Sequence, residues 1–185
     1  MKFSMKSIFS SSLFGIAAVI LTSSMLGGCA SPSTALGMTP TAIQTTNKHA
    51  QSVSLTVGGG KETSATGKSQ ISDAAFADAI SNAITSSKVF SSVIKGSGGD
   101  TVLTVTIFNI DQPSFGFSFT VKMEAGWTLK RADTGAVIWQ ESIKSEHTAT
   151  TSDAFVAIER LRLANEGAAK SNIAEALRKI SALDF

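Results

Sequence analysis

Residues 114–130 alternate between apolar positions and polar or small ones with a period of two. The apolar series is Phe115, Phe117, Phe119, Val121, Met123, Ala125, Trp127 and Leu129. A period of two places successive side chains on opposite faces of a strand, whereas a helix would spread these side chains around its whole circumference. The pattern therefore predicts a central strand with one face in a core and one face in water.

Shorter segments of the same kind predict further strands beside this one. They are residues 53–57, 89–94, 101–110 and 137–150. The turn Asp133-Thr134-Gly135 predicts a hairpin, since Gly supplies the positive φ of a tight turn. Residues 114–130 exceed the usual length of a strand, at about 3.3 Å per residue. Gly116 and Gly126 are therefore predicted bulges or bends; the alternative is that one end of the hairpin projects past the body of the domain.

Two segments have the spacing of amphipathic helices. The first runs from a cap at Ser72 to residue 86 or 87, and the second runs from residue 151 or 152, capped by Ser152 or Asp153, almost to the C-terminus. Gly167 within the second predicts a kink or a close approach to the sheet. The apolar side of the second helix consists of Phe155, Ile158, Ala169, Ile173, Ala176, Leu177 and Ile180.

This order of elements, β-α-β-β-β-β-α, is typical of an α+β fold. We expect a two-layer sandwich with a mainly antiparallel sheet of four to five strands and two helices on one face. Residues 51–185 are long enough to form one such domain with its own core. Residues 29–50 consist largely of Ser, Thr and Ala without periodicity, with Pro32, Gly37 and Pro40 among them, and are predicted to be a flexible tether.

Residues 1–28 have the pattern of an export signal. Lys2 and Lys6 precede an apolar run from Ile8 to Leu21, and small residues follow up to Cys29. A basic, then apolar, then small sequence is typical of a cleaved secretory leader, and the run is short for a membrane-spanning helix. An ordinary signal peptide with an unrelated cysteine is the alternative.

The charge balance gives no reason to expect a nucleic-acid partner. Removing the two leader lysines from the 16 basic residues leaves 14, equal to the 14 acidic residues. The sequence pI of 8.8 therefore belongs to the precursor. A protein with no excess of basic residues lacks the electrostatic attraction on which nucleic-acid binding depends.

No catalytic, metal or cofactor site is predicted. His49 and His147 are the only histidines and Cys29 is the only cysteine, which are too few ligands for a metal site. Gly67-Lys68-Ser69 lacks the upstream glycine of a phosphate-binding loop, and no nucleophile elbow is present. We therefore expect a protein that is not an enzyme and has no cofactor.

Arg162 and Glu166 are the most unexpected polar residues of the second helix. They lie four residues apart on its apolar side, where opposite charges can pair. One interpretation is a partly exposed ion pair, shared with Glu159, where the helix overruns the sheet. The other is an interaction site or a buried polar network.

Phe108 and Phe115 are the candidate aromatic contact residues. Core packing of Phe115, Phe117 and Phe119 is one interpretation, and a binding patch that includes Phe108 is the other. If no helix covers the Phe115 end, we expect it to contact a partner or a membrane.

Leu26-Gly27-Gly28-Cys29 resembles the lipobox of bacterial lipoproteins. The resemblance implies that Cys29 is acylated, with chains such as palmitate, and that residues 1–28 are removed. Ala30, in place of Asp, implies the periplasmic face of the outer membrane by the sorting rule of enterobacterial lipoproteins. Acyl chains anchor a protein because each buried CH₂ contributes about 0.8 kcal/mol.

The mature chain is similar in architecture to small α+β envelope lipoproteins. These are the lipopolysaccharide-assembly lipoprotein LptE, the YajG-type lipoproteins and the auxiliary lipoproteins of ABC-type lipid transport systems. Besides the lipobox, the resemblance is carried by the stretches at residues 115–121, 134–139 and 164–169. It implies a non-enzymatic accessory lipoprotein with an envelope protein as partner. The alternative is a periplasmic module that binds a lipid or other small apolar ligand.

Overall fold

A five-stranded sheet lies beside two long helices in the computed structural model, which describes residues 30–185. Cys29 and the predicted signal peptide lie outside these residues. The elements are α1 Ala35–Met38, β1 Ser52–Gly58, α2 Asp73–Ser87, β2 Ser92–Lys95, β3 Thr101–Asp111, β4 Phe119–Arg131, β5 Val137–Ala149 and α3 Ala157–Ser181. The predicted α+β class is confirmed, and α1 is the helix that the sequence pattern did not predict.

The strands are arranged in the order β2-β1-β3-β4-β5. β1 is parallel to β2 and β3, and β4 is antiparallel to β3 and β5, so the sheet is mixed. The bulge near Gly126 lies in β3: Ile107 pairs with Ala125 and Asn109 with Glu124, which leaves Phe108 as the extra residue. Gly126 itself pairs regularly with Thr106 and with Ser142.

Trp127 of β4 lies at the centre of the core, in contact with both long helices. Its ring centroid is 6.4 Å from that of Phe76 in α2, and its Nε1 donates to Asn172 of α3 at 2.9 Å. Both helices therefore cover the same face of the sheet. The predicted core face of the central strand is confirmed from Phe119 to Leu129, where each alternate side chain is buried.

Residues 30–50 run along the domain, which corrects the prediction of a flexible tether. Ser33, Met38 and His49 are buried in this stretch. The backbone N–H of Ser33 donates to Gln70 at 3.0 Å, and that of His49 donates to Val89 at 2.8 Å. The stretch lacks periodicity because isolated side chains and single backbone bonds make its contacts, and only one turn of helix forms.

The start of α3 also differs from the prediction. Asp153 accepts hydrogen bonds from the backbone N and Oγ1 of Thr150 at 2.7 and 2.9 Å, so it closes a turn and does not cap the helix. The helix begins at Ala157, and Phe155 precedes it in solvent. The expected close approach at Gly167 is confirmed, since a Cβ there would lie 2.1 Å from the ring of His147 in β5.

Candidate interaction site

Three connections meet where β1 and β3 end: residues 59–72, residues 112–118 and residues 150–156. We call this the aromatic end, because Phe115, Phe117 and Phe155 are 88%, 87% and 91% exposed there. The prediction that Phe115 and Phe117 pack in the core is wrong. Their alternation continues beyond the sheet, since β3 ends opposite Lys122 and gives residues 115 and 117 no strand to pack beside.

Arg160, in the first turns of α3, joins two of these connections. Its Nη1 donates to the carbonyl oxygens of Ala154 and Phe155 at 2.9 and 2.6 Å, and its Nη2 donates to that of Gly116 at 3.3 Å. The guanidinium carbon also lies 5.2 Å from the ring centroid of Phe119, in cation–π range. The planar guanidinium has N–H donors in several fixed directions, so it can hold two chain segments at once, unlike the compact ammonium group of a lysine.

Sequence reasoning did not identify Arg160. Arginine is rarely buried without partners, and its partners here are carbonyl groups of loops whose course the sequence does not reveal. Its one signal is helical spacing, since Arg160 lies four residues before Ala164, which is also buried. The N-terminal half of α3 is covered on two sides, by the sheet and by residues 30–50, so its buried face is wider than a single stripe.

A network of two side-chain amides, of which that of Asn165 is fully buried, fixes the base of the 112–118 turn. Gln112 Nε2 donates to the carbonyl of Ser69 and to Asn165 Oδ1, both at 2.8 Å, and Asn165 Nδ2 donates to Ser69 at 2.9 Å. Lys68 Nζ lies 3.1 Å from Ser114 Oγ and also reaches the carbonyl of Pro113. A satisfied polar network of this kind rigidifies its surroundings. The exposed rings therefore project from loops that are held in place.

Arg162 and Glu166 belong to a polar network in which Glu166 is buried and Arg162 is partly buried. Arg162 Nη1 lies 2.5 Å from Glu166 Oε1, and the same oxygen accepts from the backbone N and Oγ1 of Thr34 at 2.8 and 2.9 Å. A Cβ at Gly37 would lie 2.2 Å from the Glu166 carboxylate, so the absence of a side chain there allows α1 to pack this closely. The pair thus connects α3 to the stretch that contains Thr34.

Glu159 completes this network from the exposed side. Its carboxylate bonds to Arg162 through both oxygens. The hydrogen bond from Arg162 lowers the pKa of Glu159, and the bond to Glu159, together with the charge of Glu166, raises the pKa of Arg162. The charged groups of this network bond to one another and to Thr34. The network therefore holds residues 30–38 on α3.

Phe108 lies on the face of the sheet opposite the helices and is 62% exposed. Its ring covers Gly126, where a Cβ would lie 2.4 Å from the ring atom Cζ. Phe108 and its neighbours line an open groove of about 500 Å³, and Glu141 is the charged residue among them. We call the residues that line this groove the Phe108 patch: Thr104, Thr106, Phe108, Gly126, Trp127, Thr128, Gln140, Glu141 and Ser142.

The two histidines lie in separate places. His49 Nε2 is 3.0 Å from the carbonyl oxygen of Ile180, and His147 packs on Gly167. Within residues 30–185, no group of three or more His, Cys, Asp or Glu side chains is placed to hold a metal ion. None of the helices in that range is both long enough and apolar enough to cross a bilayer.

Comparisons with known proteins show the fold. No family model and no curated protein matches this chain. Protein XCC0632 from Xanthomonas campestris, of the family DUF330, is 12% identical with a TM-score of 0.54, over 81% of this chain and 91% of that one. PelC from Paraburkholderia phytofirmans, solved as a dodecamer, is 15% identical with a TM-score of 0.49, over 78% and 96%. A minor lipoprotein from Acinetobacter baumannii is 12% identical with a TM-score of 0.46, over 73% and 93%.

Proposed function

We propose that this protein is a lipid-anchored, non-enzymatic accessory lipoprotein of the bacterial cell envelope. Cys29 carries the anchor, and the periplasmic face of the outer membrane is the location. The domain then acts by contacting another envelope protein, in outer-membrane assembly or in transport, as the resemblance to the LptE, YajG and ABC-transport auxiliary lipoproteins implies. The lipobox at residues 26–29 supports the anchor.

The observation that carries the proposed protein contact is the Phe108 patch. The centres of protein–protein interfaces are enriched in aromatic residues and poor in charge, and a few buried aromatic side chains dominate their energy. Phe108 is an exposed aromatic residue, and its neighbours in the patch are uncharged apart from Glu141, which pairs with Lys179 of α3. Charged side chains border the patch toward the aromatic end, as in the polar rim of an interface: Lys122, Glu124, Lys144 and Glu146.

The edge strand β5 supports the same proposal. It contains 13 residues and pairs only with β4 among the described residues, so its outer backbone groups are free of a strand partner there. An edge of this length can accept an added strand from another protein. The Phe108 patch reaches β5 through Gln140 and Ser142, so one partner can contact both.

The packing between the helices and the sheet supports an accessory role over a module that encloses an apolar ligand. The space between the two layers is filled by fully buried side chains of both, among them Phe76, Ile80, Leu129, Ile173 and Leu177. The Phe108 groove opens to solvent on the other face of the sheet.

A photo-crosslinking residue in place of Phe108 tests the protein contact. The tagged full-length protein is expressed in its native host, irradiated, and purified from membranes. The same crosslinking residue at the exposed Thr134, in the β4–β5 turn, is the matched control. We expect an adduct with an envelope protein from position 108 and none from position 134. Recovery of the protein alone from both positions would contradict the accessory role.

The anchor is tested separately by Cys29→Ser. We expect the unmodified protein to fractionate with membranes and the variant to appear in the soluble periplasmic fraction. Equal membrane recovery of the two proteins would contradict acylation at Cys29 as the means of attachment.

A further inference from the structure

The described chain begins at the aromatic end. The backbone N–H of Ala30 donates to the carbonyl of Ala65 at 3.2 Å, in the 59–72 connection. Lys68, in the same connection, bonds to Ser114 beside Phe115. Ala30, which follows Cys29 in the sequence, therefore lies at the same end of the domain as the turn that exposes Phe115 and Phe117.

The third exposed ring belongs to the same surface. The guanidinium of Arg160 donates hydrogen bonds to the carbonyl groups of both Gly116 and Phe155. The backbones of the two connections therefore lie within reach of a single side chain. Val156, next to Phe155, is also exposed and enlarges the apolar area.

Residues 30–50 pack on the domain and do not form a flexible linker between the anchor and the domain. A flexible tether of 20 residues could hold the domain tens of ångströms from a membrane. Instead, Ser33 is bonded to Gln70 and Thr34 to Glu166, so the chain is fixed to the domain within a few residues of Cys29. A lipid on Cys29 then keeps the aromatic end against the bilayer surface.

We propose that the aromatic end is a membrane-docking surface: Phe115, Phe117 and Phe155 insert into the interfacial layer of the bilayer that holds the acyl chains of Cys29. The inference rests on the proposed lipid anchor. Apolar side chains are stabilised at this depth in proportion to the area they remove from water. Docking leaves the sheet pointing away from the membrane, with the 132–136 turn roughly 40 Å away along β4, at about 3.3 Å per residue.

The charges around the three rings indicate which lipids are needed. Lys61 and Lys68 are exposed in the 59–72 connection, and Glu62, Asp111 and Asp153 are exposed nearby along the chain. This mixture gives no net attraction to anionic headgroups, unlike the polybasic segments that recognise them. The docking therefore depends on apolar insertion and works on zwitterionic lipid.

Fluorescence of the lipidated protein in phosphatidylcholine vesicles tests the docking. Because Cys29 carries the lipid, Ser118→Cys introduces a single free thiol beside Phe117, and Thr134→Cys is the matched control at the other end of β4. Each thiol receives a polarity-sensitive dye, and the vesicles contain a lipid-attached quencher. We expect at least fivefold stronger quenching at position 118 than at position 134, unchanged by added salt.

Replacing Phe115, Phe117 and Phe155 together by Ser in the Ser118→Cys protein should reduce quenching to the level of position 134. The far-UV and near-UV circular dichroism of this variant should stay unchanged, since the three rings lie in solvent. Loss of the near-UV signal would show that the rings pack in the fold and would overturn the proposal.

The remaining outcomes separate the two proposals. A protein that does not float with vesicles contradicts the lipid anchor and this inference with it. A protein that floats but shows equal quenching at positions 118 and 134 overturns the membrane docking alone. A fluorescence shift at position 118 in native membranes, absent from pure lipid vesicles, assigns the rings to a protein contact and also overturns it.

Discussion

The two ends of the sheet use aromatic residues in opposite ways. At the aromatic end, three phenylalanine rings project into solvent. At the other end, which we call the C-terminal end, His49 stacks on Phe185 with centroids 4.2 Å apart and lies 5.6 Å from Phe90. Phe90 is only 2% exposed. The difference shows that neighbouring chain segments, and not aromatic content, decide whether a ring is core or surface.

The cover at the C-terminal end comes from the chain itself. The backbone of Asn47 donates to Ser181 at 2.9 Å, and that of Thr46 donates to Ser181 Oγ at 3.1 Å, so residues 45–51 lie across the last turn of α3. No described segment does this at the aromatic end, where Arg160 and Asn165 hold the loops from beneath. An apolar surface that is held rigidly and left uncovered is typical of a contact site.

The largest expected effect distinguishes the buried ring from the exposed one. Phe90→Ala should lower the free energy of unfolding by about 3–5 kcal/mol, because it removes a buried ring and leaves a cavity. Phe117→Ala should change it by less than about 0.5 kcal/mol. Urea unfolding of both variants without membranes measures this. Similar losses would mean that Phe117 packs against the fold in solution and that the two ends do not differ.

Arg160→Met should cost about 2–3 kcal/mol, because three backbone carbonyls lose a charged donor. The loss should be local: backbone amides in residues 116–119 and 154–157 should exchange hydrogen faster, while those in residues 46–51 stay protected. Arg178→Met is the matched control, since Arg178 is exposed and pairs with the exposed Glu175. Faster exchange at both ends would show that Arg160 supports the whole fold and not the aromatic end in particular.

Much of the fold could be predicted because each of its main elements repeats a pattern. The alternation from Phe119 to Leu129 predicts the core face of β4, and the helical spacing of Ile173, Leu177 and Ile180 predicts that of α3. The same alternation fails at Phe115 and Phe117, since a period of two describes a backbone direction and not the neighbours that cover it. Gly116, with a φ of 145°, lies where the chain leaves the sheet.

The candidate site was only partly predictable, because long-range polar contacts leave no periodic signal. Arg162 and Glu166 could be paired from their spacing of four residues. Thr34, which completes their network, lies 132 residues from Glu166 in a stretch without pattern. The sequence identifies Phe108 as an apolar residue on the face of β3 that does not form the core. Its position over Gly126 depends on a bulge in β3, whereas the sequence pattern predicted a bulge in β4.

Glu166→Gln tests how the ends of the 30–50 stretch are held. The amide keeps an acceptor for Thr34 but loses the charge that pairs with Arg162, so we expect a loss of about 1 kcal/mol. Hydrogen exchange should accelerate in residues 33–39 and stay unchanged in residues 46–51, which are held by Ser181 and the aromatic rings. The control Glu175→Gln alters an exposed pair and should have little effect. Uniform acceleration would mean that the stretch opens as one unit.

The smallest expected change in stability concerns a hydrogen-bonded aspartate, which is present at both ends of the sheet. At the C-terminal end, Asp100 accepts from the backbone N and Oγ of Ser52 at 2.8 and 2.7 Å, as Asp153 does from Thr150 at the aromatic end. In each case the backbone hydrogen bond, followed by the side-chain bond, lowers the pKa of the carboxyl group below its ordinary 3.8.

A carboxyl group whose pKa is lower in the folded state stabilises the fold above its unfolded pKa, and this contribution is lost as the pH falls through the folded value. Asp100→Asn and Asp153→Asn should therefore each lower the urea midpoint slightly at neutral pH, and the difference from the unmodified protein should shrink below pH 3.8. The two losses should be alike, because both carboxyl groups are exposed and make the same bonds. A clearly larger loss for Asp153→Asn would show that the 150–156 turn, which presents Phe155, depends on this bond more than on Arg160.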